Sequence, residues 1–469
     1  MNFAELRFWG YLLLGLLVIS GVRALVRRRA PGALVVTDRV CLALLGVFLL
    51  LCVNVLSCAI FVTAVLVTYF GLRWILRHDG RGKRKYLWVL IPLQLAPLFY
   101  YKYSNFVVND VLGADFDVLR HLIIPVGLSF YLFQMVGFVL DTLAFDAPLP
   151  KFLDFMNFAG FFPQIVAGPI ERRKDLLPQV QRFRFRFDWR DVNEGATWIA
   201  LGLFFKLCLA DNLAQWMGPF QRSTTNAWMI WMANLLFGLR IYYDFAGYSL
   251  VALGLGRCLG IRLTLNFLSP YVSRNIQEFW RRWHITLSHW FRDYVYIPMG
   301  GSRTPWWAWN VMVVFVVSGI WHGAGWNFVF WGALHGVFLV GMRLSGWRKI
   351  LPGPVAWGVT MIGTFLAWLC FYETRFGVLW QKLGATFNPA AYAPARLNEA
   401  AHVLTGGDPI VVASLLALAG ATLLLEWLSV RRHDEPFVLL RKPGVLVVLV
   451  VLTVLLAPSK NNAFIYFAF

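Results

Sequence analysis

A histidine lies at the junction of two apolar runs, in the segment SGIWHGAGWNFVFWGALHG of residues 318–336. This residue, His322, is followed by Gly323 and Gly325, which let the backbone bend and let another group approach closely. An imidazole has an ordinary pKa of about 6.5 and burial favours its neutral form, so His322 could accept a proton from a hydroxyl near neutral pH. The alternative to a catalytic role is that His322 is hydrogen-bonded and only contributes to packing. His335, at the far end of the following run, allows the same two interpretations.

A second candidate site lies between Ser273 and Arg303, where charged residues alternate with tryptophans. This stretch cannot cross hydrocarbon, and it predicts one or two helices at the membrane interface, aromatic on one side and basic on the other. Such helices could simply anchor the chain to anionic lipid. That alternative does not explain why His284 and His289 accompany the Glu278 carboxylate. The candidate residues here are Glu278, Trp280, Arg281, Arg282 and His284.

Polar residues also occur within apolar segments elsewhere. Inserting an ionisable side chain into a membrane-spanning segment costs roughly 2.5–3.5 kcal/mol of free energy. Gln134 lies in one such segment, and Tyr243 and Asp244 lie in another. Residues 161–170, FFPQIVAGPI, are apolar but too short and too broken by proline and glycine to span, which is typical of a re-entrant segment lined by protein or water. Together these residues suggest a polar cavity walled by helices. Hydrogen bonds between helices explain any one of them equally well.

The amino-acid composition indicates the class of protein to which these candidate residues belong. Hydrophobic residues make up 59% of the 469 residues, charged residues only 14%, and the mean hydropathy is +0.62. Soluble chains are about 45–50% apolar and about 25% charged, so the sequence excludes a soluble enzyme and predicts an integral membrane protein. We interpret the net charge of +19 as membrane topology and expect no nucleic-acid partner. The six cysteines lack metal-ligand spacing, so we expect no metal site.

The apolar runs predict the membrane-spanning helices, since about 20 mainly apolar residues cross a hydrocarbon core of about 30 Å. The block 41–76 predicts two spans joined near Asn54 to Ser57, and the block 228–259 predicts a kinked or doubled element because glycines and Asp244 interrupt it. About 11–13 transmembrane or re-entrant helices result, in a single membrane domain of residues 1–469 with its motif-bearing core at about 121–345. The other spans are predicted at 8–26, 87–103, 121–141, 194–210, 307–321, 326–342, 353–372, 409–429 and 443–457.

The positions of Lys and Arg predict the orientation, because short loops rich in them stay in the cytoplasm. Basic residues gather at 27–29 after the first predicted span, at 77–85 after the third, and at 172–190 before the span that begins at 194. The loops between these clusters contain few basic residues. We therefore expect the N-terminus on the outer face of the membrane.

Six segments occur in a specific order along the chain. They are PVGLSFYLFQ at 125–134, FFPQIVAGPI at 161–170, KLCLADNLA at 206–214, IYYDFAGYS at 241–249, RNIQEFWRRWHITLSHWFRDYVYIPMGGSR at 274–303 and SGIWHGAGWNFVFWGALHG at 318–336. With the final FIYFAF, this series resembles the membrane-bound O-acyltransferase family, in its bacterial branch of alginate O-acetyltransferases and teichoic acid D-alanyl transfer proteins.

The resemblance implies an all-α polytopic fold, with helices around a central funnel that reaches from the cytoplasm towards the membrane centre. It implies that His322, in the Trp-His-Gly motif, is the essential residue and that His284 is the second polar residue of the pair. We assign His322 as the base and His284 as a group that stabilises the oxyanion or orients the substrate. The expected substrate-binding residues are Glu278, Trp280, Arg281, Arg282, Trp321, Asn327, Tyr243, Asp244 and Gln134.

These assignments suit transfer of an acyl group from a thioester to an alcohol. That reaction needs a base for the hydroxyl proton, a donor for the oxyanion, and the exclusion of water. The sequence has no Gly-x-Ser-x-Gly elbow, so direct transfer is favoured over an acyl-enzyme. We expect acetyl-CoA as the donor and no permanently bound cofactor. Arg172, Arg173, Arg281 and Arg282 would suit the phosphates of coenzyme A, although the orientation rule explains the same arginines.

The function predicted from the resemblance is O-acetylation of an exported polysaccharide, such as alginate or cellulose, at the bacterial inner membrane. The resemblance further implies membrane lipid as the surroundings, a periplasmic acetyltransferase partner of the SGNH type, and polysaccharide synthesis machinery. D-alanyl transfer to teichoic acid from a carrier protein is one alternative. A transporter that uses His322 as a proton relay is another, although the sequence lacks the paired, interrupted helices typical of inverted repeats.

Overall fold

The computed structural model describes residues 2–78, 83–346, 350–405, 409–458 and 462–465. The predicted all-α class is confirmed, because helices make up most of these residues and no strand occurs among them. The chain divides into two compact units. The first contains Met1–Ile199 and Ser249–Leu265, and the second contains Ala200–Tyr248 and Asn266–Phe469. Arg81, in the basic cluster 77–85, and the last four residues of FIYFAF lie outside the described residues, as do Arg348 and Lys349, which the orientation rule also predicts to be cytoplasmic.

Seven helices in the described part of the chain are long and apolar enough to cross a membrane, which confirms a multi-pass membrane protein. Their lengths follow from the bilayer, where every backbone N–H and C=O must be paired within the helix. They are Leu6–Arg29, Pro31–Val53, Val55–Arg77, Trp189–Gln221, Trp326–Ser345, Gly353–Tyr372 and Pro409–His433. Three shorter apolar helices are Leu128–Ala144, Trp307–His322 and Pro443–Leu456. The larger predicted number, which includes re-entrant helices, stays a prediction.

The first unit confirms the predicted division of the block 41–76. One helix ends at Val53 and the next begins at Val55, and the Asn54 side chain accepts a hydrogen bond from the Ser57 backbone N–H at 2.9 Å. Asparagine is a favoured residue at a helix N-terminus because its side chain satisfies one of the unpaired backbone donors. The further helices of this unit are Leu87–Leu98, Asp117–Arg120, Leu128–Ala144, Phe152–Ala159 and Arg173–Gln181, with π-helical turns at Phe99–Tyr103 and Phe106–Val111.

The segment 161–170 forms turns without a regular helix, and all ten of its residues are buried within protein. Its predicted re-entrant course through the membrane stays a prediction. The span predicted at 121–141 begins later, at Leu128, because the residue before it adopts a left-handed conformation. Gly127 has φ +76°, and a Cβ there would collide with the backbone carbonyl of Ile165. Only glycine fits such a position without strain.

The second unit carries both candidate histidines. Its helices are Asp211–Gln221, Ile276–Arg282, Ile285–Phe291, Trp307–His322, Trp326–Ser345, Gly353–Tyr372, Phe376–Phe387, Pro394–Thr405, Pro409–His433 and Pro443–Leu456, with π-helical turns at Phe204–Ala210 and Arg292–Tyr296. Two short helices occur in the stretch 273–303, as predicted, and their place at the membrane interface stays a prediction.

The block 228–259 forms one uninterrupted helix, Ala227–Cys258, so the prediction of a doubled element was wrong. Its glycines serve close packing and do not end the helix. A Cβ on Gly247 would lie 2.8 Å from the Gly202 carbonyl oxygen, and a Cβ on Gly254 would lie 2.5 Å from the Gly195 carbonyl oxygen. Glycine spacing alone cannot distinguish a helix break from a close contact between helices.

Candidate active site

His322 is the last residue of the Trp307–His322 helix, and the chain turns at Gly323 and enters the Trp326–Ser345 helix. The two helices pack with their backbones in contact. A Cβ on Gly319 would collide with the Phe328 carbonyl oxygen, and a Cβ on Gly332 would collide with the Phe315 carbonyl oxygen. This glycine seam, formed by Gly319 and Gly332, fixes the position of the turn and therefore of the His322 ring, which is 1% exposed.

His284 lies between the helices Ile276–Arg282 and Ile285–Phe291 and has φ 42° and ψ 55°. A left-handed backbone is uncommon for a residue other than glycine and costs roughly 1–2 kcal/mol. Such conformations persist where the surrounding structure imposes them, often at functional sites. The sharp turn brings the His284 side chain into the interior, where it is fully buried.

The two imidazoles face each other inside the second unit, with 6.4 Å between their ring centroids. Aromatic rings enclose them. Trp321 lies 5.9 Å from His284, Phe245 lies 4.7 Å from His284, and Trp331 lies 5.0 Å from His322, all between centroids. The structure therefore brings together the two histidines that the sequence assigned to one site.

His284 has a hydrogen-bond partner that the sequence did not indicate. Its Nδ1 lies 3.2 Å from Oδ1 of Asn266, which also accepts hydrogen bonds from the backbone N–H and the hydroxyl of Thr286 at 3.2 Å and 2.9 Å. Burial lowers the pKa of His284 to about 3 because the charged form loses its hydration. At neutral pH, His284 is therefore an uncharged imidazole held by an amide.

A cavity of about 980 Å³ lies beside the two short helices and has a basic wall. Trp280 and Arg281, both predicted as binding residues, line it together with Arg292 and Arg343. Ser318 also lines it and lies four residues before His322, one helical turn or about 6 Å along the same face. The cavity thus reaches to within one turn of the histidine.

Ring contacts connect the cavity with His322 as well. Trp280 packs edge-to-face on Trp331 with 5.7 Å between centroids, and Trp331 packs on His322. His335 is fully buried in the same cluster, 4.8 Å from Trp331 and 5.0 Å from Trp280. These edge-to-face rings form a wall of low polarity where the basic cavity approaches His322.

Several predicted substrate-binding residues have structural partners. Glu278 pairs with Arg282 at 3.0 Å and accepts the backbone N–H of Arg274 at 2.9 Å. The Asn327 side chain donates to the Cys370 carbonyl at 2.9 Å. These contacts hold helix ends and turns around the site, so they position the site's walls.

Tyr243, Asp244 and Gln134 also make structural contacts. The Tyr243 hydroxyl donates to the Ala419 carbonyl at 2.8 Å. Asp244 pairs with Lys206 at 2.9 Å and accepts the Ile465 backbone N–H at 2.7 Å. Gln134 belongs to the first unit, where its amide donates to the Phe158 carbonyl at 2.9 Å. The described residues contain no group of three or more His, Cys, Asp or Glu that could hold a metal ion.

Comparison with known proteins places the site in a family context. The model of the membrane-bound O-acyltransferase family matches residues 62–373, a range that includes both histidines. A probable alginate O-acetylase of Azotobacter vinelandii is 34% identical over 383 residues, which cover 78% of this chain and 73% of the relative. A peptidoglycan O-acetyltransferase of Helicobacter pylori is 34% identical over 68% of each chain. A teichoic acid D-alanyltransferase of Streptococcus thermophilus is 30% identical over 55% of this chain and 65% of the relative.

Proposed function

Because the chain belongs to the membrane-bound O-acyltransferase family and is an O-acyltransferase, we propose that it moves acetyl groups from acetyl-CoA for the O-acetylation of an exported polysaccharide. The observation that carries this proposal is the pair of buried imidazoles, 6.4 Å apart, one helical turn from a cavity with a basic wall. A base and a second polar group beside a donor-sized cavity are what transfer from a thioester to an alcohol requires.

The donor occupies the cavity with its phosphates on the basic wall. Arg281, Arg292 and Arg343 offer guanidinium groups, which bind phosphate oxygens in pairs of parallel hydrogen bonds. The acetyl thioester then lies at the inner end, near Ser318 and Trp280. The topology rule explains arginines on this side of the membrane, but it does not explain why three of them line one cavity that leads towards His322.

The chemistry is direct transfer. Nε2 or Nδ1 of His322 accepts the hydroxyl proton while the hydroxyl oxygen forms a bond to the thioester carbonyl carbon. The carbon–sulfur bond then breaks, and the thiolate of coenzyme A takes the proton from His322. His284 stabilises the oxyanion or orients the hydroxyl. The aromatic wall of Trp280, Trp321 and Trp331 excludes water, so hydrolysis of the thioester does not compete.

The relatives support the acceptor class. Two of the three similar proteins above are named for O-acetylation of alginate or peptidoglycan, both glycans of the cell envelope or exterior. We extend this to the present chain as a single membrane domain in the bacterial inner membrane, with an outward N-terminus. A periplasmic SGNH-type protein and the synthesis machinery of the polysaccharide are its proposed partners.

D-alanyl transfer from a carrier protein is the second candidate, because a teichoic acid D-alanyltransferase is 30% identical to this chain. The transporter alternative is disfavoured, since the family is one of enzymes. A carrier protein and coenzyme A both present phosphopantetheine, so the two donors are compared directly in one assay.

The test uses the purified full chain in detergent, where no gradient can drive transport. It is supplied with either labelled acetyl-CoA or a carrier protein loaded with labelled D-alanine, and release of the free thiol and transfer of label to added alginate oligosaccharide or water-soluble cello-oligosaccharide are followed. We expect thiol release and label transfer from acetyl-CoA only, and none with His322→Gln. Transfer from the loaded carrier alone would replace acetylation by D-alanylation, and no transfer from either donor would contradict the proposal.

A further inference from the structure

The side chain of Asn266 is the contact of His284 that determines which ring nitrogen carries a proton. Asn266 is 1% exposed and lies just before the turn that leads to the Ile276–Arg282 helix. Its Oδ1 faces three donors, namely His284 Nδ1 and the backbone N–H and hydroxyl of Thr286. Its backbone carbonyl also accepts the Ile285 N–H at 3.0 Å, so the two segments are held together by main chain and side chain.

The orientation of the amide is fixed by Thr286. A backbone N–H can only donate, so the atom of Asn266 that faces it must be the oxygen and not the NH₂ group. The same oxygen faces Nδ1 of His284 at 3.2 Å. An oxygen that only accepts requires a donor opposite, so Nδ1 must carry the proton. The neutral His284 is therefore the Nδ1–H tautomer, and Nε2 bears the lone pair.

We propose that Asn266 is a positioning residue that locks His284 in the Nδ1–H tautomer, so that Nε2 accepts a hydrogen bond from a hydroxyl of the acceptor glycan next to the hydroxyl that reacts. The inference rests on the proposed acyl transfer and deepens it, because it separates the two roles open to His284. A nitrogen lone pair repels an oxyanion and attracts a hydroxyl proton. His284 therefore orients the acceptor glycan through a neighbouring hydroxyl, His322 takes the proton of the hydroxyl that reacts, and the oxyanion is stabilised by another donor.

The surroundings of His284 keep it in this neutral form. Phe245 from the Ala227–Cys258 helix, Phe267 from the preceding loop and Trp321 from the Trp307–His322 helix present uncharged rings. The titratable group that faces it is His322, 6.4 Å away between centroids. A protonated His322 during turnover disfavours a second positive charge at that distance. One imidazole can then carry the substrate proton while the other remains an acceptor.

The first test determines the tautomer of His284 by a measurement that does not depend on catalytic activity. The full chain, labelled with ¹⁵N-histidine, is examined by magic-angle-spinning NMR in lipid, and the His284 signals are assigned by their loss in His284→Gln. We expect a protonated Nδ1 and an unprotonated Nε2 at neutral pH. In Asn266→Leu, which removes the acceptor but keeps the size, we expect Nε2–H to appear. Thr286→Val removes a different donor from the same oxygen, and its spectrum should match the original chain.

A protonated Nε2 in the unaltered chain, or an unchanged spectrum in Asn266→Leu, would overturn the inference whatever the substrate proves to be. The second test measures thiol release from acetyl-CoA. We expect kcat to fall at least about 100-fold in Asn266→Leu, because the acceptor nitrogen is lost, with KM for acetyl-CoA within about twofold. Thr286→Val should stay within about threefold in kcat. Equal losses in both variants would indicate a packing role for Asn266 and would also overturn the inference.

The two tests separate this inference from the proposed function. If the unaltered chain releases no thiol from acetyl-CoA but its His284 is the Nδ1–H tautomer, acetyl transfer fails and the positioning role of Asn266 remains. If the chain transfers acetyl groups and His284 is the other tautomer, the proposed function stands and the role of Asn266 fails.

Discussion

Lys206 Nζ lies 2.9 Å from Asp244 Oδ1, and both side chains are buried in the second unit. The same ammonium lies 2.8 Å from Asp211 Oδ1 and donates to the Asn462 carbonyl at 3.0 Å. Asp244 in turn accepts the Ile465 N–H, so the ion cluster fastens the C-terminal segment to the helices. Phe464 from that segment packs on Phe245, the ring that contacts His284.

We expect Lys206→Met to destabilise the protein by about 3–5 kcal/mol, because it leaves two buried carboxylates without their cation. The measurement is thermal unfolding of the purified chain in detergent. Arg396→Gln, which breaks an exposed pair with Glu399, serves as the control and should cost less than about 1 kcal/mol. Equal melting temperatures for Lys206→Met and the control would show that the cluster does not stabilise the fold.

His322→Gln should lower kcat for thiol release about 10²–10⁴-fold, since the base for the hydroxyl proton is lost while the shape of the side chain is largely kept. Membrane insertion and melting temperature should change little. His121→Gln, at an exposed histidine of the first unit, is the control and should leave kcat unchanged. Retention of full activity by His322→Gln would remove its catalytic assignment.

Arg343→Gln and Arg292→Gln should raise KM for acetyl-CoA about tenfold or more, because each removes a charge-assisted hydrogen bond to phosphate. Arg343 is already held at the cavity wall by the face of Trp307, 4.1 Å from the ring centroid. Neither variant should change KM for acetyl-pantetheine, which has the thioester but no phosphates. Arg303→Gln, outside the cavity lining, controls for net charge. A rise in KM for both donors would point to a general structural effect.

Gly332→Ala should destabilise the chain by about 1–3 kcal/mol, because its Cβ would occupy the place of the Phe315 carbonyl oxygen. Gly341→Ala lies in the same helix, where a Cβ has nothing within 4 Å, and it should be neutral or slightly stabilising since alanine favours helix. Melting temperatures of the two variants in detergent make the comparison. Similar values would mean that the glycine seam can relax at little cost.

Glu171 should make stability depend on pH. Burial raises its pKa to about 7, against the hydrogen bonds from the Thr264 N–H and hydroxyl that lower it. The folded pKa exceeds the ordinary value of 4.5, so the folded chain binds a proton more tightly and its stability falls as the pH rises from about 5 to about 7. In Glu171→Gln, the decline in the free energy of unfolding across that pH range, on the order of 3 kcal/mol, should be absent. If the melting temperature of Glu171→Gln depends on pH with the same slope as that of the unaltered chain, this prediction is wrong.

The length of the apolar runs predicted most of the long helices because the thickness of the bilayer sets that length. The span 353–372 was predicted with the bounds that the structure has, and the break near Asn54 followed from a run too long for one span. The helix Ala227–Cys258 was misjudged, since its glycines are contact points between helices and the sequence does not reveal what lies opposite a glycine.

The site was predicted in part. His284 and His322 were paired through the resemblance; the structure places their ring centroids 6.4 Å apart, and their catalytic roles stay predictions. Asn266 escaped notice because it lies 18 residues from His284 in sequence and its role depends on the backbone of Thr286. The cavity arginines Arg292 and Arg343 come from separate elements, and only the folded chain brings them to one wall.

The glycine seam decides which side of the site can accommodate different acceptors. The two helices that flank His322 touch through their backbones, so neither can shift relative to the other without steric collision. The hairpin that they form is therefore a rigid side of the site. If the acceptor is the polysaccharide that we propose, space for glycans of different size has to come from the short helices around His284. Substitutions that alter polymer preference should then occur mainly in those short helices and rarely in the hairpin.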